Sequence, residues 1–105
     1  MSIVTLCGST RFKCAFNELA KELTLRGNIV LYPCIYEHSG DIITPEQKEI
    51  LVTLHRRMID ISEEVIIVNV MGYVGDTTLR EIEYAKLNNK VINYLEYNNC
   101  HQLIL

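Results

Sequence analysis

One apolar run constrains the fold of this chain more than any other feature of its sequence. Residues 64–70 are Glu-Val-Ile-Ile-Val-Asn-Val, and four consecutive members of the run are β-branched. A strand with one solvated face alternates apolar and polar residues, whereas a continuous run is typical of a central parallel strand buried on both faces. Parallel strands need long crossover connections, which are usually helices. The run therefore predicts an α/β domain.

The rest of the chain alternates between strand-like and helix-like patterns around this run. Strands are predicted over 2–7, 28–32, 64–70 and 90–95, and helices over 12–26, 45–61 and 78–88. The order βαβαβαβ predicts a three-layer, doubly wound parallel sheet of four or five strands with helices on both faces. A length of 105 residues suits a single domain over 1–105. We expect the last ten residues to add a further strand or helix.

Capping signals mark the starts of the second and third helices. Thr44 and Gln47 form a capping box, with Pro45 at the first helical position. Thr78 and Glu81 have the same spacing and predict a second capping box. The expected core face of the second helix consists of Ile50, Leu51, Leu54, Met58 and Ile61.

Composition excludes several classes of function. The net charge is −3, and the pI of about 5.5 argues against a protein that binds nucleic-acid backbones. No apolar run approaches the ~18 residues of a membrane span. The N-terminus lacks the features of a secretory signal, so we expect a cytoplasmic protein with no membrane partner.

The cysteines and glycines give no sign of a metal or a cofactor. The four cysteines include no C-x-x-C pair, and Gly8 is not followed by the remaining glycines of a dinucleotide turn. We therefore expect neither a metal site nor a cofactor. Cys7 lies at a predicted strand end beside a helix start, a position that can lower the pKa of a thiol.

Two polar loops follow the first and third predicted strands. If these strands are neighbours, the loops meet at the carboxyl edge of the sheet, where ligands bind in such folds. Gly-Ser-Thr-Arg at 8–11 can bind an anion through hydroxyls, backbone N–H groups and Arg11, although a hydroxyl here also serves as a simple helix cap. Glu81 follows the second loop, and its alternative role is to complete the Thr78 capping box. His55, Arg56 and Asp60 are typical of a solvated helix end.

Two segments together resemble a known family. They are Leu-Cys-Gly-Ser-Thr-Arg at 6–11 and Gly-Tyr-Val-Gly-Asp-Thr-Thr-Leu-Arg-Glu-Ile-Glu-Tyr-Ala at 72–85. These residues resemble the nucleoside 2-deoxyribosyltransferase-like superfamily, which includes deoxynucleoside 5′-monophosphate N-glycosidases. The resemblance extends over residues 3–95, and its most specific part is the Glu-x-x-Tyr-Ala segment behind a polar loop.

The resemblance implies a flavodoxin-like sheet, a homodimer or higher homo-oligomer, and cleavage or transfer of an N-glycosidic bond. Glu81 matches the family's nucleophile, which attacks C1′ of the sugar as in a retaining glycosidase. The implied substrate is a small-molecule nucleoside or nucleotide, and Arg11 favours a nucleotide. The implied binding residues are Gly8, Ser9, Thr10, Arg11, Gly75, Asp76, Thr77 and Thr78.

The chain departs from the family pattern at three places, one of which is the Glu-Glu pair at 63–64, where the family has Ala-Asp before the buried strand. Arg56 stands where the family has an Asp, so we take Asp60, one turn later, as the second catalytic residue. Thr5 or Leu6 replaces an aromatic residue that lines the sugar pocket in many members. Two alternatives to an enzyme therefore stay open: a non-catalytic nucleotide-binding module on the same fold, and a structural or signalling domain with a vestigial site.

Overall fold

The computed structural model describes residues 2–32 and 40–96 and has a four-stranded, all-parallel sheet with helices on both faces. This confirms the predicted α/β class. The strands and helices, in chain order, are β1 (Ile3–Gly8), α1 (Lys13–Leu25), β2 (Ile29–Leu31), α2 (Pro45–Ile61), β3 (Glu64–Val68), α3 (Asp76–Leu87) and β4 (Val91–Tyr94). Most of the predicted loop over 33–44 and nearly all of the predicted last element lie outside the described residues.

The strand order is β2-β1-β3-β4, so β1 and β3 are neighbours, which is the condition under which the two polar loops meet. Their register runs from Val4 opposite Glu64 to Gly8 opposite Val68. The chain turns outward to β2 after β1, then crosses back over β1 to form β3, which makes the β1/β3 boundary the topological switch point. Both strands end at the same edge, where ligands bind in folds of this kind.

Each face of the sheet has its own apolar cluster. On one face, Leu6 and Val68 of the strands pack with Phe16, Leu19 and Leu23 of α1. On the other face, a second cluster joins the sheet to α2 and α3; its members are Cys7, Ile59, Val65, Ile67, Ile82 and Ala85. The β3 strand contributes to both clusters and is buried on both faces, which explains its continuous apolar sequence.

The expected core face of α2 is wrong at three positions. Ile50, Leu54 and Ile61 are exposed, at 57%, 45% and 63%, whereas His55 and Ile59 are buried. The helix is turned so that His55 faces the sheet, because the backbone carbonyl of Leu6 and neighbouring side chains supply hydrogen-bond partners for the ring. A buried polar group with its partners satisfied costs little, so the apolar pattern alone did not determine which face is buried.

The helix starts agree with one predicted capping box and not with the other. Thr44 Oγ1 accepts the Gln47 N–H at 3.1 Å, and Gln47 Oε1 accepts the Thr44 N–H at 2.9 Å, so the first box is confirmed. The second is wrong because α3 begins earlier, at Asp76, and Thr78 is a buried residue inside the helix. The Glu81 side chain therefore does not cap α3.

No helix in the described part of the chain is long and apolar enough to cross a lipid bilayer.

Candidate active site

A cleft of about 270 Å³ lies at the carboxyl edge of the sheet, between the turn after β1 and the start of α3. Lys48 from the first turns of α2 and Tyr73 from the loop after β3 complete its wall. The eight binding residues that the family resemblance implies all line this single cleft; they are Gly8, Ser9, Thr10, Arg11, Gly75, Asp76, Thr77 and Thr78. The two loops meet because β1 and β3 are neighbours and parallel.

The turn after β1 depends on glycine. A Cβ atom at Gly8 would lie 2.7 Å from the carbonyl oxygen of Val68, so only glycine allows the ends of β1 and β3 to approach this closely. Ser9 then caps the following turn, because its Oγ accepts the backbone N–H of Arg11 at 3.3 Å. The same Oγ accepts the Arg11 Nε–H at 3.1 Å, which holds the guanidinium against the turn.

Positive charge and an aromatic ring meet on one wall of the cleft. The guanidinium carbon of Arg11 lies 4.4 Å from the centre of the Tyr73 ring, a cation–π contact. Phe12 packs edge-on against the same ring at 5.9 Å between centroids. Lys48 adds a second cation to the lining. Sequence reasoning missed Lys48 and Tyr73, because neither residue stands at a spacing that marks a binding site.

The start of α3 presents backbone donors to the cleft. Gly75 is the N-cap residue and supplies no side-chain cap. The first N–H groups of a helix have no partner within the helix, and together with the helix dipole they favour an anion. Asp76, Thr77 and Thr78 belong to this first turn and line the cleft. This wall therefore offers N–H and hydroxyl groups beside one carboxylate.

Beneath the cleft, a buried histidine connects β1 to α3. The Nε2 atom of His55 lies 2.9 Å from the carbonyl oxygen of Leu6 and 3.5 Å from Cys7 Sγ. Its Nδ1 atom lies 2.5 Å from Oε2 of Glu81. The side chains of His55 and Glu81 are only 8% and 15% exposed. Cys7 directly precedes Gly8, and Glu81 lies one helical turn after Thr78, so the cluster adjoins the cleft.

The hydrogen bonds of His55 require the ring to carry two protons or to share one with Glu81. A carbonyl oxygen only accepts, so Nε2 donates to Leu6, and the Nδ1–Glu81 contact needs a further proton. Burial works to lower the pKa of His55, but the hydrogen bonds to Cys7 and Glu81, together with the charge of the Glu81 carboxylate, outweigh it and raise that pKa well above 6.5. An imidazolium paired with a carboxylate follows.

The thiol of Cys7 is buried at the end of β1. Burial raises its pKa above 9.0, although the adjacent His55 acts in the opposite direction. The lowering of the pKa that a helix start can cause does not occur here, because the side chain is fully buried instead of facing a helix start at the surface. Cys7 is a neutral thiol, and its Sγ is a second, more distant acceptor for the Nε2–H of His55.

The same three side chains contain donor atoms that a metal ion could use. One donor atom from each of Cys7, His55 and Glu81 lies within 4.8 Å of the other two. Cys7 and Glu81, however, face different nitrogens of the imidazole. A metal ion bound by all three side chains would replace at least one of the hydrogen bonds that the ring makes to Leu6 and Glu81. The arrangement is a hydrogen-bonded chain.

Asp60 lies away from the cleft. It is near the end of α2, which leads into the first residue of β3 and so to the amino edge of the sheet. The Tyr84 hydroxyl donates to Asp60 Oδ1 at 2.5 Å, and Lys90 Nζ donates to the Asp60 carbonyl oxygen at 2.9 Å. The structure therefore does not bring Asp60 together with Glu81. The sequence missed His55, which lies on the same helix nearer the cleft.

Comparisons of the chain with protein-family models, with curated proteins and with solved structures found no match.

Proposed function

We propose that this chain cleaves or transfers the N-glycosidic bond of a nucleoside or its 5′-monophosphate, with Glu81 as the nucleophile. The observation that carries the proposal is the Glu81 carboxylate, which is largely buried beside the cleft with Oε2 held by His55. A carboxylate that is desolvated and oriented in this way suits attack on a sugar carbon that develops positive charge. The resemblance of residues 6–11 and 72–85 to the nucleoside 2-deoxyribosyltransferase-like superfamily supports the same assignment.

The proposed reaction has two displacements at C1′. In the first, an oxygen of Glu81 forms a bond to C1′ while the bond from C1′ to the base nitrogen breaks. The base leaves with the electron pair and takes up a proton from solvent in the open cleft. In the second, water attacks C1′, the bond to Glu81 breaks and the carboxylate is restored, while the proton of the water passes to solvent. A second base in place of water gives transfer.

The charges of the cleft favour a substrate with a phosphate. Arg11 and Lys48 are the basic residues of its lining, and the uncapped start of α3 adds backbone donors. Tyr73 supplies an apolar ring surface on the same wall. We therefore assign a 5′-monophosphate in preference to a free nucleoside, with the phosphate near Arg11. No metal or cofactor enters this reaction scheme.

The test is a panel of nucleosides and 5′-monophosphates incubated with purified protein, with released base read by chromatography. Wild type and Glu81→Ala are run side by side. We expect the wild type to release base from at least one substrate, and to release it faster from a 5′-monophosphate than from the corresponding nucleoside. We expect Glu81→Ala to release no base. Equal release by both proteins, or none from any substrate, would contradict the proposal.

A non-catalytic nucleotide-binding module is the second candidate. The observation in its favour is that Glu81 does not belong to the lining of the cleft and already has a strong partner in His55. If the chain is such a module, equilibrium dialysis will show that both the wild type and Glu81→Gln bind nucleotide. The wild type will release no free base.

We further propose that the protein is cytoplasmic and acts as a homodimer or higher homo-oligomer. The exposed apolar side chains of Ile50, Leu54 and Ile61 support self-association. They recur along one face of α2 at helical spacing, and a second copy of the chain is the partner that this face would accept.

A further inference from the structure

The buried ring of His55 holds one oxygen of Glu81, but the reaction as described so far does not say which oxygen attacks or what the ring does in the second displacement. It lies in α2, yet it contacts one strand and one helix that border the cleft: Leu6 and Cys7 of β1, and Glu81 of α3. The titratable groups that face the ring are Cys7 and Glu81, while β3 adds apolar side chains to the same cluster. A histidine that served only to pack α2 would need no carboxylate partner.

We propose that His55 is a positioning residue that holds Oε2 of Glu81 and thereby makes Oε1 the oxygen that attacks C1′. This inference rests on the proposed function. Two contacts define it. The Nε2–H bond to Leu6 fixes the plane of the ring against β1, and the Nδ1–H bond fixes the carboxylate. Because the first bond uses a backbone atom, the orientation of the ring follows the sheet and not a mobile side chain.

The same contact acts on the second displacement. After attack through Oε1, Oε2 becomes the carbonyl oxygen of the glycosyl ester and still accepts the Nδ1–H bond. When water attacks C1′, the electron pair of the C1′–Oε1 bond returns to Glu81, and the imidazolium stabilises the carboxylate as it forms. His55 therefore contributes more to breakdown of the glycosyl-enzyme than to substrate binding.

Three variants separate this role from simple packing. His55→Leu removes the donor and the charge, while His55→Asn keeps an N–H donor near the position of Nδ1. Ile59→Ala, one turn further along the same buried face of α2, removes packing and leaves the pair intact. Steady-state and rapid-quench release of base are measured for each variant, because a slowed second displacement gives a burst of base followed by slow turnover.

We expect His55→Leu to lower kcat by about 10²-fold with a smaller change in KM, because misplacing a reacting group by ~1 Å has a cost of that size. The Asn variant is expected to recover part of kcat, and Ile59→Ala to keep most of it. If His55→Leu lowers kcat no more than Ile59→Ala does, the positioning role of His55 is overturned.

A second readout does not depend on activity. Nitrogen NMR of the histidine rings at pH 8 is expected to show both nitrogens of His55 protonated in the wild type and one in Glu81→Gln. A neutral His55 ring in an active wild type overturns this role alone. A doubly protonated ring in a protein that releases no base from any substrate overturns the proposed function, and the role falls with it.

Discussion

At the scale of single residues, the partners of a side chain decide its chemistry. His55 and Asp60 lie five residues apart on α2, and the sequence pattern assigned both to a solvated helix end. One is buried between β1 and Glu81, and the other hydrogen-bonds to Tyr84 at the amino edge of the sheet. Spacing along a helix cannot show which of two polar residues faces the sheet, because that depends on acceptors such as the Leu6 carbonyl on another element.

The pH dependence of stability follows from the raised pKa of His55. The unfolded ring loses its proton near pH 6.5, whereas the folded ring keeps it to a much higher pH. The contribution of the ring to the free energy of unfolding is therefore complete below pH 6.5 and declines as the pH rises through the folded pKa. Above pH 9, the buried Cys7 thiol acts in the same direction, because the unfolded thiol ionises first.

Urea unfolding of wild type and His55→Asn at pH 6, 7.5 and 9 measures this effect. We expect the wild type to lose stability as the pH rises, and the difference between the two proteins to become smaller. A difference that stays constant from pH 6 to 9 would show that folding does not raise the pKa of His55.

At the scale of strands and helices, the sequence predicted which elements exist and their order in the chain better than which face of each helix is buried. The continuous apolar run predicted β3 correctly because burial on both faces leaves no polar position. The α2 helix has apolar residues on two faces, so periodicity favoured the face that is exposed at Ile50 and Leu54. The Thr78–Glu81 spacing suggested a cap, but Gly75 already ends the loop and α3 begins three residues after Tyr73, at Asp76.

The close approach of β1 to β3 gives a test at this scale. A Cβ at Gly8 would meet the Val68 carbonyl oxygen at 2.7 Å, whereas a Cβ at Gly75 would meet the Tyr73 side chain, whose nearest atom is the hydroxyl at 3.3 Å and which can move. We expect Gly8→Ala to lower the free energy of unfolding by about 1–3 kcal/mol, the usual cost of overpacking. Gly75→Ala is the matched control and should lose much less. Equal urea midpoints for the two variants would contradict the strand geometry.

At the scale of the whole molecule, the topology explains why so much of the cleft could be predicted. Parallel β1 and β3 at a switch point bring any two loops that follow them together, so all eight predicted binding residues line one cleft. Lys48 could not be predicted, because it comes from α2, after a long connection whose path the sequence does not determine.

Self-association is the prediction for the whole molecule. Leu54→Glu places a charge in the exposed apolar face of α2, and Leu25→Glu does the same at the exposed end of α1 on the other side of the sheet. In sedimentation velocity at micromolar concentrations, we expect wild type and Leu25→Glu to be dimers or larger and Leu54→Glu to dissociate. A wild type that sediments as a monomer would contradict the proposed oligomer.

The most direct test of the central claim compares two carboxylates in one assay. Base release from the best substrate is measured for wild type, Glu81→Gln and Asp60→Asn, with folding checked by circular dichroism. The account predicts that Glu81→Gln loses about 10³-fold or more in kcat, as expected when a nucleophile is removed, while Asp60→Asn keeps nearly the full rate. A folded Glu81→Gln variant that releases base at the wild-type rate would contradict it.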